Sequence, residues 1–249
     1  DIEPSYLVRQ DAYTGLRWDR VLDGLDAMLG AAYSVSLFTD WTGDSLRAAW
    51  VKRRVQGLQS GDAAEEFFGA TRDPGPIRFI DAPADNLTVV GVPGPWSQRL
   101  PHFRLDSTPS NGDEIQTEYF VDRRHGAAAL EAVRRLSKTI APLLMISEIR
   151  STARDGLWLS GSYGRETMAI HFTWRNRPAE VDAALWHVEA ALEPFAARAH
   201  WGKVTHVTAG QVAERYPRLS DARALFDRLD PDGRFSNHRL ERLGVRAAR

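Results

Sequence analysis

The 249-residue chain has no cysteine. Disulfide frameworks, thiolate zinc sites, cysteine nucleophiles and iron–sulfur clusters are therefore excluded. It has no excess charge of either sign: 32 Lys+Arg stand against 33 Asp+Glu, a net charge of −1. Nothing global draws such a chain to nucleic acid or to an anionic membrane. No apolar run reaches the ~18 residues that a membrane span needs. No signal peptide opens the sequence, which begins Asp1-Ile2-Glu3-Pro4 without methionine, as a processed or excised segment would. With no cysteine and no leader, a cytoplasmic location is expected. The glycine-rich dinucleotide and P-loop fingerprints, G-x-G-x-x-G and G-x-x-x-x-G-K-[ST], do not occur. Nor does the esterase elbow G-x-S-x-G.

What is present is ordinary for a folded protein: 43% hydrophobic and 26% charged residues. Eight Trp, ten Phe and six Tyr supply large side chains, and core packing is the first use for most of them. Residues 5–14 read as an extended entry segment. Trp18, Val21, Leu22, Leu25, Met28 and Leu29 recur at helical spacing, with Gly30 as the stop. Tyr33–Thr39 alternates as a strand, and Trp50–Val55 reads as its antiparallel neighbour. A short helix is expected around Ala63–Phe68. Seven of the thirteen prolines fall between Pro74 and Pro109, so Gly57 to about Asn111 reads as a long irregular segment on the surface or a flap.

The second half is more regular. Strands are expected over Thr117–Val121, Leu143–Thr152, Thr167–Trp174 and His200–Val207. Helices are expected over Ala127–Ile140, ended before Pro142, and over Pro178–Arg198, with Pro194 kinking its last turn. A further helix lies near Ser220–Leu229. The order β-α-β, β-α-β predicts an α+β fold: an antiparallel sheet with helices packed on one face, built from ferredoxin-like split β-α-β elements. Neither a repeat nor a linker interrupts it. One domain with a long N-terminal elaboration is the expectation.

Strand alternation then groups the polar residues. Glu148 and Arg150 share a face, about 7 Å apart along their strand. Taken alone they also fit a surface ion pair worth ~0–1 kcal/mol. Ile170, Phe172 and Trp174 share one face of the next strand, and His171 and Thr173 the other, which on its own is also an ordinary solvent-facing surface. In His200-Trp201-Gly202-Lys203 a glycine beside a lysine permits close approach to the backbone. Together Glu148, Arg150, His171, Thr173 and Lys203 offer donors and acceptors suited to a polyhydroxylated neutral ligand. They do not make a metal site: there is one carboxylate and no close histidine pair. The remaining histidines, 102, 125, 187, 200, 206 and 238, read as structural or surface. Asp230-Pro231-Asp232-Gly233 reads as a turn, because Arg234 and Phe235 stand where a calcium loop needs a ligand and a glycine.

Five segments resemble the alditol (xylitol) oxidases: Ser34–Trp41, Glu148-Ile149-Arg150, Leu157-Trp158-Leu159-Ser160, His171-Phe172-Thr173-Trp174 and His200-Trp201-Gly202-Lys203. These oxidases belong to the vanillyl-alcohol-oxidase-type flavoproteins, beside the sugar-1,4-lactone oxidases. The similarity runs through most of residues 1–245. It implies a substrate-binding cap domain over residues 1–233 and a C-terminal tail, 234–249, that returns to an FAD domain expected ahead of Asp1 and absent from this chain. The cofactor it implies is FAD, held mainly by that domain, with Asn237 as a contact from the tail; no metal is implied. The activity implied is oxidation of the primary alcohol of a polyol such as xylitol or sorbitol at C1, with hydride passing to flavin and O2 reduced to H2O2. In that role Glu148 and Arg150 hold the reacting end of the polyol. Lys203 lies beside the C1 hydroxyl, where the nearby arginine lowers its proton affinity and lets it assist proton removal. Arg150 stabilises alkoxide character, and His171 and Thr173 read hydroxyls further along. The alternatives are an aldonolactone oxidase (gulono- or arabinono-1,4-lactone) and a non-catalytic polyol-binding or assembly module. The partners implied are polyol, molecular oxygen and the FAD domain, with self-association of the isolated domain expected from the apolar surface it would expose.

Overall fold

The computed structural model describes residues 4–58, 63–75, 89–100 and 113–247. Strand β1 (Leu7–Thr14) leads into helix α1 (Trp18–Leu29). The helix buries Trp18, Val21, Leu25, Met28 and Leu29 along one stripe and closes at Gly30. Strands β2 (Ser34–Thr39) and β3 (Ala48–Val55) follow, and β3 lies between β1 and β2, antiparallel to both. This is one split β-α-β unit.

The helix expected around Ala63–Phe68 is instead a hairpin, β4 (Glu66–Phe67) and β5 (Ala70–Asp73). The two residues of its turn, Phe68 and Gly69, have φ of 50° and 87°, the left-handed pair that a tight hairpin demands and a helix forbids. Phe67 turns inward against Tyr13, with ring centroids 5.4 Å apart. Of the segment read as irregular, the described part also contains β6 (Gly94–Pro95) and α2 (Trp96–Arg99); its other residues, His102 among them, lie outside the described residues.

The second unit comprises β7 (Ile115–Asp122), α3 (Gly126–Arg134), α4 (Ser137–Ile140), β8 (Leu144–Thr152), β9 (Thr167–Trp174), α5 (Pro178–Leu192) and β10 (Arg198–Ala199). Its strand order is β10-β7-β9-β8 with every pairing antiparallel. This is the ferredoxin-like split arrangement expected. The units join where β2 pairs with β8, giving one continuous sheet.

Three boundaries differ from expectation. The helix over 127–140 is two pieces, because the Leu136 N–H bonds to Val133 O and tightens the turn between them. Helix α5 stops at Leu192, and a 3₁₀ turn containing Pro194 ends it before Ala196. The strand expected over His200–Val207 is reduced to Arg198–Ala199, after which the chain bulges. The tail carries α6 (Ala209–Arg215), α7 (Leu219–Leu229) and α8 (His238–Arg242); only α7 is legible in the periodicity. Residues 230–233 form the expected turn, with Gly233 at φ 65°.

Helices α1, α3 and α5 cover one face of the sheet. Between them and the strands runs a stack of rings: Trp18 on Trp41 (5.5 Å), Trp41 on Phe172 (5.9 Å) and Phe172 on Trp174 (5.0 Å). Trp41 is 1% exposed, and its Nε1–H donates to Ser147 Oγ at 2.8 Å. Trp174 donates to Thr117 Oγ1 at 3.0 Å. The stack ties the N-terminal unit to β9 of the second. A smaller core of Val207, Val212, Tyr216, Leu219, Leu243 and Val245 packs the tail helices against Trp201. Among the described residues no helix is long and apolar enough to cross a membrane. Trp41→Ala removes the middle ring of the stack and strands Ser147. It is expected to cost about 3–5 kcal/mol in urea denaturation, and a loss below ~1 kcal/mol would contradict the linking role given to Trp41.

Candidate functional site

The face opposite the helices is where the polar residues collect. The ladder sets Glu118 of β7, His171 of β9 and Glu148 of β8 directly side by side. Residues paired across a ladder share a face, so all three side chains rise on the same side. Thr173 stands one step along β9, opposite Gln116, and Arg150 one step along β8. The intervening residues, Tyr119, Ile149, Ile170 and Phe172, point into the core.

Lys203 reaches this face because β10 fails. His200 N–H bonds to Glu118 O and Val204 N–H to Gln116 O, so four residues span what two span on β7. The excess closes on itself, Lys203 N–H to His200 O at 3.1 Å. Such a bulge re-aims side chains. Here it turns the Lys203 ammonium onto Glu118. The group that approaches the Gly202 backbone is the His200 ring, whose Nδ1 accepts from Gly202 N–H at 3.1 Å.

Glu118 is the centre of the cluster. Its side chain is 3% exposed. Oε1 accepts from Arg150 Nη2 at 2.7 Å, and Oε2 accepts from Lys203 Nζ at 2.7 Å. Arg150 Nη1 donates to Glu148 Oε2 at 3.1 Å. Burial opposes the charge of Glu118, but Arg150 and Lys203 outweigh it and hold the carboxyl at about 2. Burial likewise opposes the charge of Arg150, and Glu148 and Glu118 overcome it. His171 is pushed down to about 4, first by burial and then by the Lys203 charge, so the ring is neutral near pH 7. Its Nε2 lies 3.4 Å from Gln116 Oε1. Burial lowers Lys203 too, against the pull of Glu118.

The five residues grouped from the sequence are thus brought together. Asn237 is not with them: its side chain caps α8, accepting from Leu240 N–H at 3.0 Å, beside an apolar cavity of about 460 Å³ near Trp201 and Phe235. Two members of the polar face were missed. Glu118 sits in a strand whose neighbours Thr117, Tyr119 and Val121 are core, and the split β-α-β order already sets that strand beside β9. Lys52 of β3 faces Glu148 and Arg150, and burial lowers its ammonium. Its signal was alternation with Val51, which is fully buried.

Residues 110–243, from before β7 to the end of the tail helices, match the D-arabinono-1,4-lactone oxidase family. The chain belongs to that family. It is also 45% identical over 247 residues to the alditol oxidase of Streptomyces sp. (strain IKD472 / FERM P-14339), covering 98% of this chain and 57% of that protein. It is 35% identical over 144 residues to the L-gulono-1,4-lactone dehydrogenase of Mycobacterium tuberculosis (strains CDC 1551 / Oshkosh and ATCC 25618 / H37Rv), covering 57% of this chain and 33% of that protein. The chain therefore spans about half the length of the first of these relatives and a third of the other. The matched region holds strands β7–β10 with Glu118, Glu148, Arg150, His171, Thr173 and Lys203, while β1–β6 and Lys52 lie ahead of it.

Two groups in the cluster make stability fall on acidification. His171 has its folded value below its unfolded one, so the unfolded chain takes up protons first and stability drops as pH falls from about 6.5 to 4. Glu118, also depressed, contributes stability that is complete above the ordinary carboxylate value and is lost as pH falls toward 2. Urea denaturation across this range should show both losses. His171→Gln should flatten the upper part and Glu118→Gln the lower, and unchanged pH profiles in both variants would contradict the cluster's electrostatics.

Proposed function

We propose that this chain is the substrate-binding part of an FAD-dependent alditol oxidase, taking the primary alcohol of a polyol to the aldehyde. The observation that carries the reading is the joint presentation of Glu118, Glu148, Arg150, His171, Thr173 and Lys203 on one sheet face free of the helix layer. Donors and acceptors stand side by side there, as hydroxyl groups of a polyol require. The similarity to the alditol oxidase, over nearly the whole chain, supports the substrate class.

The residues present fit one side of an FAD site. Two cations held 2.7 Å from Glu118 suit an alcohol that must lose a proton beside an electron acceptor. Among the described residues no glycine-rich turn opens a helix to cradle a pyrophosphate. The nucleotide end would rest on other parts of the protein, with residues 234–249 proposed as the tail that meets them and Asn237 as its contact. When bound, FAD would accept the hydride that leaves C1 and return the electrons to O2.

The residues of this chain bind and prepare the alcohol. Glu148 accepts from the C2 hydroxyl. Arg150 donates to the C1 oxygen and stabilises the negative charge that grows there. Lys203, its proton affinity lowered by burial, takes the hydroxyl proton. His171, neutral near pH 7, and Thr173 bond hydroxyls further along the chain. A lactone has no primary alcohol at the reacting carbon, so a lactone-oxidising member would use the same face differently. The family name and the gulonolactone dehydrogenase similarity keep that as the second reading.

Oxygen uptake by the flavin-loaded, full-length protein should be faster on xylitol than on L-gulono-1,4-lactone; the reverse order would favour the second reading. In the same protein Lys203→Met should slow flavin reduction by xylitol at least ~100-fold, and a wild-type rate would remove Lys203 from the chemistry. Glu148→Ala should raise the xylitol KM about tenfold or more, the effect of one lost charge-assisted bond; an unchanged KM would remove its contact to C2.

A further inference from the structure

Glu118 has no part in the chemistry just described, yet among the described residues its side chain is the one that hydrogen-bonds both Arg150 and Lys203. Its two oxygens are divided, Oε1 to Arg150 and Oε2 to Lys203, each at 2.7 Å. A carboxylate is only ~2.2 Å between its oxygens, so a bridge of this kind fixes how far apart the two cations stand. Without it, an ammonium and a guanidinium on a half-dry surface would repel each other. We infer that Glu118 is the positioning residue of the reaction: it sets the Arg150–Lys203 spacing and governs how readily Lys203 releases its proton to solvent before the alcohol binds.

The inference rests on the reading of Lys203 as the base. In that step the alcohol loses a hydride from C1, which FAD would accept, and a proton from its hydroxyl; the proton bonds to the neutral Lys203 Nζ, and the C1–O bond becomes the carbonyl. Lys203 can accept only when neutral. Glu118 works against that state by favouring the ammonium, while burial and Arg150 work for it. The other titratable groups near Lys203 are Glu148 of β8, which favours the ammonium, His171 of β9 and His200 of the bulge, both lowered by burial, and Arg239 of α8, whose guanidinium donates to the Lys203 carbonyl. None of these touches Nζ. Glu118 is therefore the group whose removal must move the Lys203 titration, and the direction is downward. Its burial at 3% exposure keeps solvent from replacing it.

The chain has three lysines, at 52, 138 and 203, so ¹³Cε-lysine NMR of the 249-residue chain can follow Lys203 directly, the signal being identified by its loss in Lys203→Met. In Glu118→Gln the Lys203 midpoint should fall by about one pH unit or more, the usual effect of one contacting charge. Glu118→Asp, too short to hold both cations, should give a smaller fall and serves if the Gln variant does not fold. The rate of flavin reduction by xylitol in the full-length, flavin-loaded protein should rise with pH along the same midpoint, and that rise should move to lower pH with the NMR value. A Lys203 midpoint unchanged in both folded variants overturns the inference. A midpoint that moves while the kinetic profile does not overturns Lys203 as the base, and the catalytic meaning of Glu118 with it. Failure of the wild-type protein to oxidise any alditol strikes the proposed function itself, and the NMR shift then stands or falls as electrostatics alone.

Discussion

A carboxylate removed from water must be answered by charge, and the Glu118 carboxylate is answered twice. Burying it alone would cost several kcal/mol; with Arg150 and Lys203 both at 2.7 Å it is held ionised at about 2. Much of the molecule's form follows from keeping those three groups together. Strand β7 must sit beside β9 to bring Glu118 next to His171. Strand β8 must be in register to bring Arg150 within reach. The chain after β10 must bulge to deliver Lys203. A single-residue slip of β8 would send Arg150 and Glu148 into the helix layer and Ile149 into the polar face.

The helix side of the sheet enforces that register. Ile149, Ile170 and Phe172 are fully buried there, and the ring stack from Trp18 to Trp174 runs across the junction of the two split β-α-β units. Apolar packing on one face thus fixes polar geometry on the other, with no loop needed to position the central groups. Lys203 is the exception. It stands on an irregular segment, and its support is the tail: Arg239 donates to the carbonyls of Trp201 and Lys203, while Leu240 and Leu243 pack near Trp201. The tail helices therefore brace the one site residue that the sheet does not hold.

Much of this was legible in the sequence. Alternation in Thr167–Trp174 separated Phe172 and Trp174 from His171 and Thr173, and the structure keeps that division. The element order predicted the split β-α-β sheet. What failed did so for local reasons. The Ala63–Phe68 segment looks helical until the left-handed backbone of Phe68 and Gly69 is seen. The strand expected at His200–Val207 is apolar enough in pattern, but its register is broken by a bulge that no periodicity reveals. Glu118 is not legible because its partners, Arg150 and Lys203, lie 32 and 85 residues away, and a lone glutamate in a strand reads as solvent-facing. Its ion pairs exist only once the order of the strands is known.

The role proposed for the residues gathered on the open sheet face is to grip a sugar alcohol at its reacting end. The most direct measurement is a crystal structure of the full-length, flavin-loaded protein soaked with xylitol under reducing conditions. The polyol should lie across β8 and β9, its C1 oxygen within hydrogen-bonding distance of Arg150 and Lys203 and its C2 hydroxyl on Glu148. Xylitol bound with its reacting carbon away from these side chains would contradict the account.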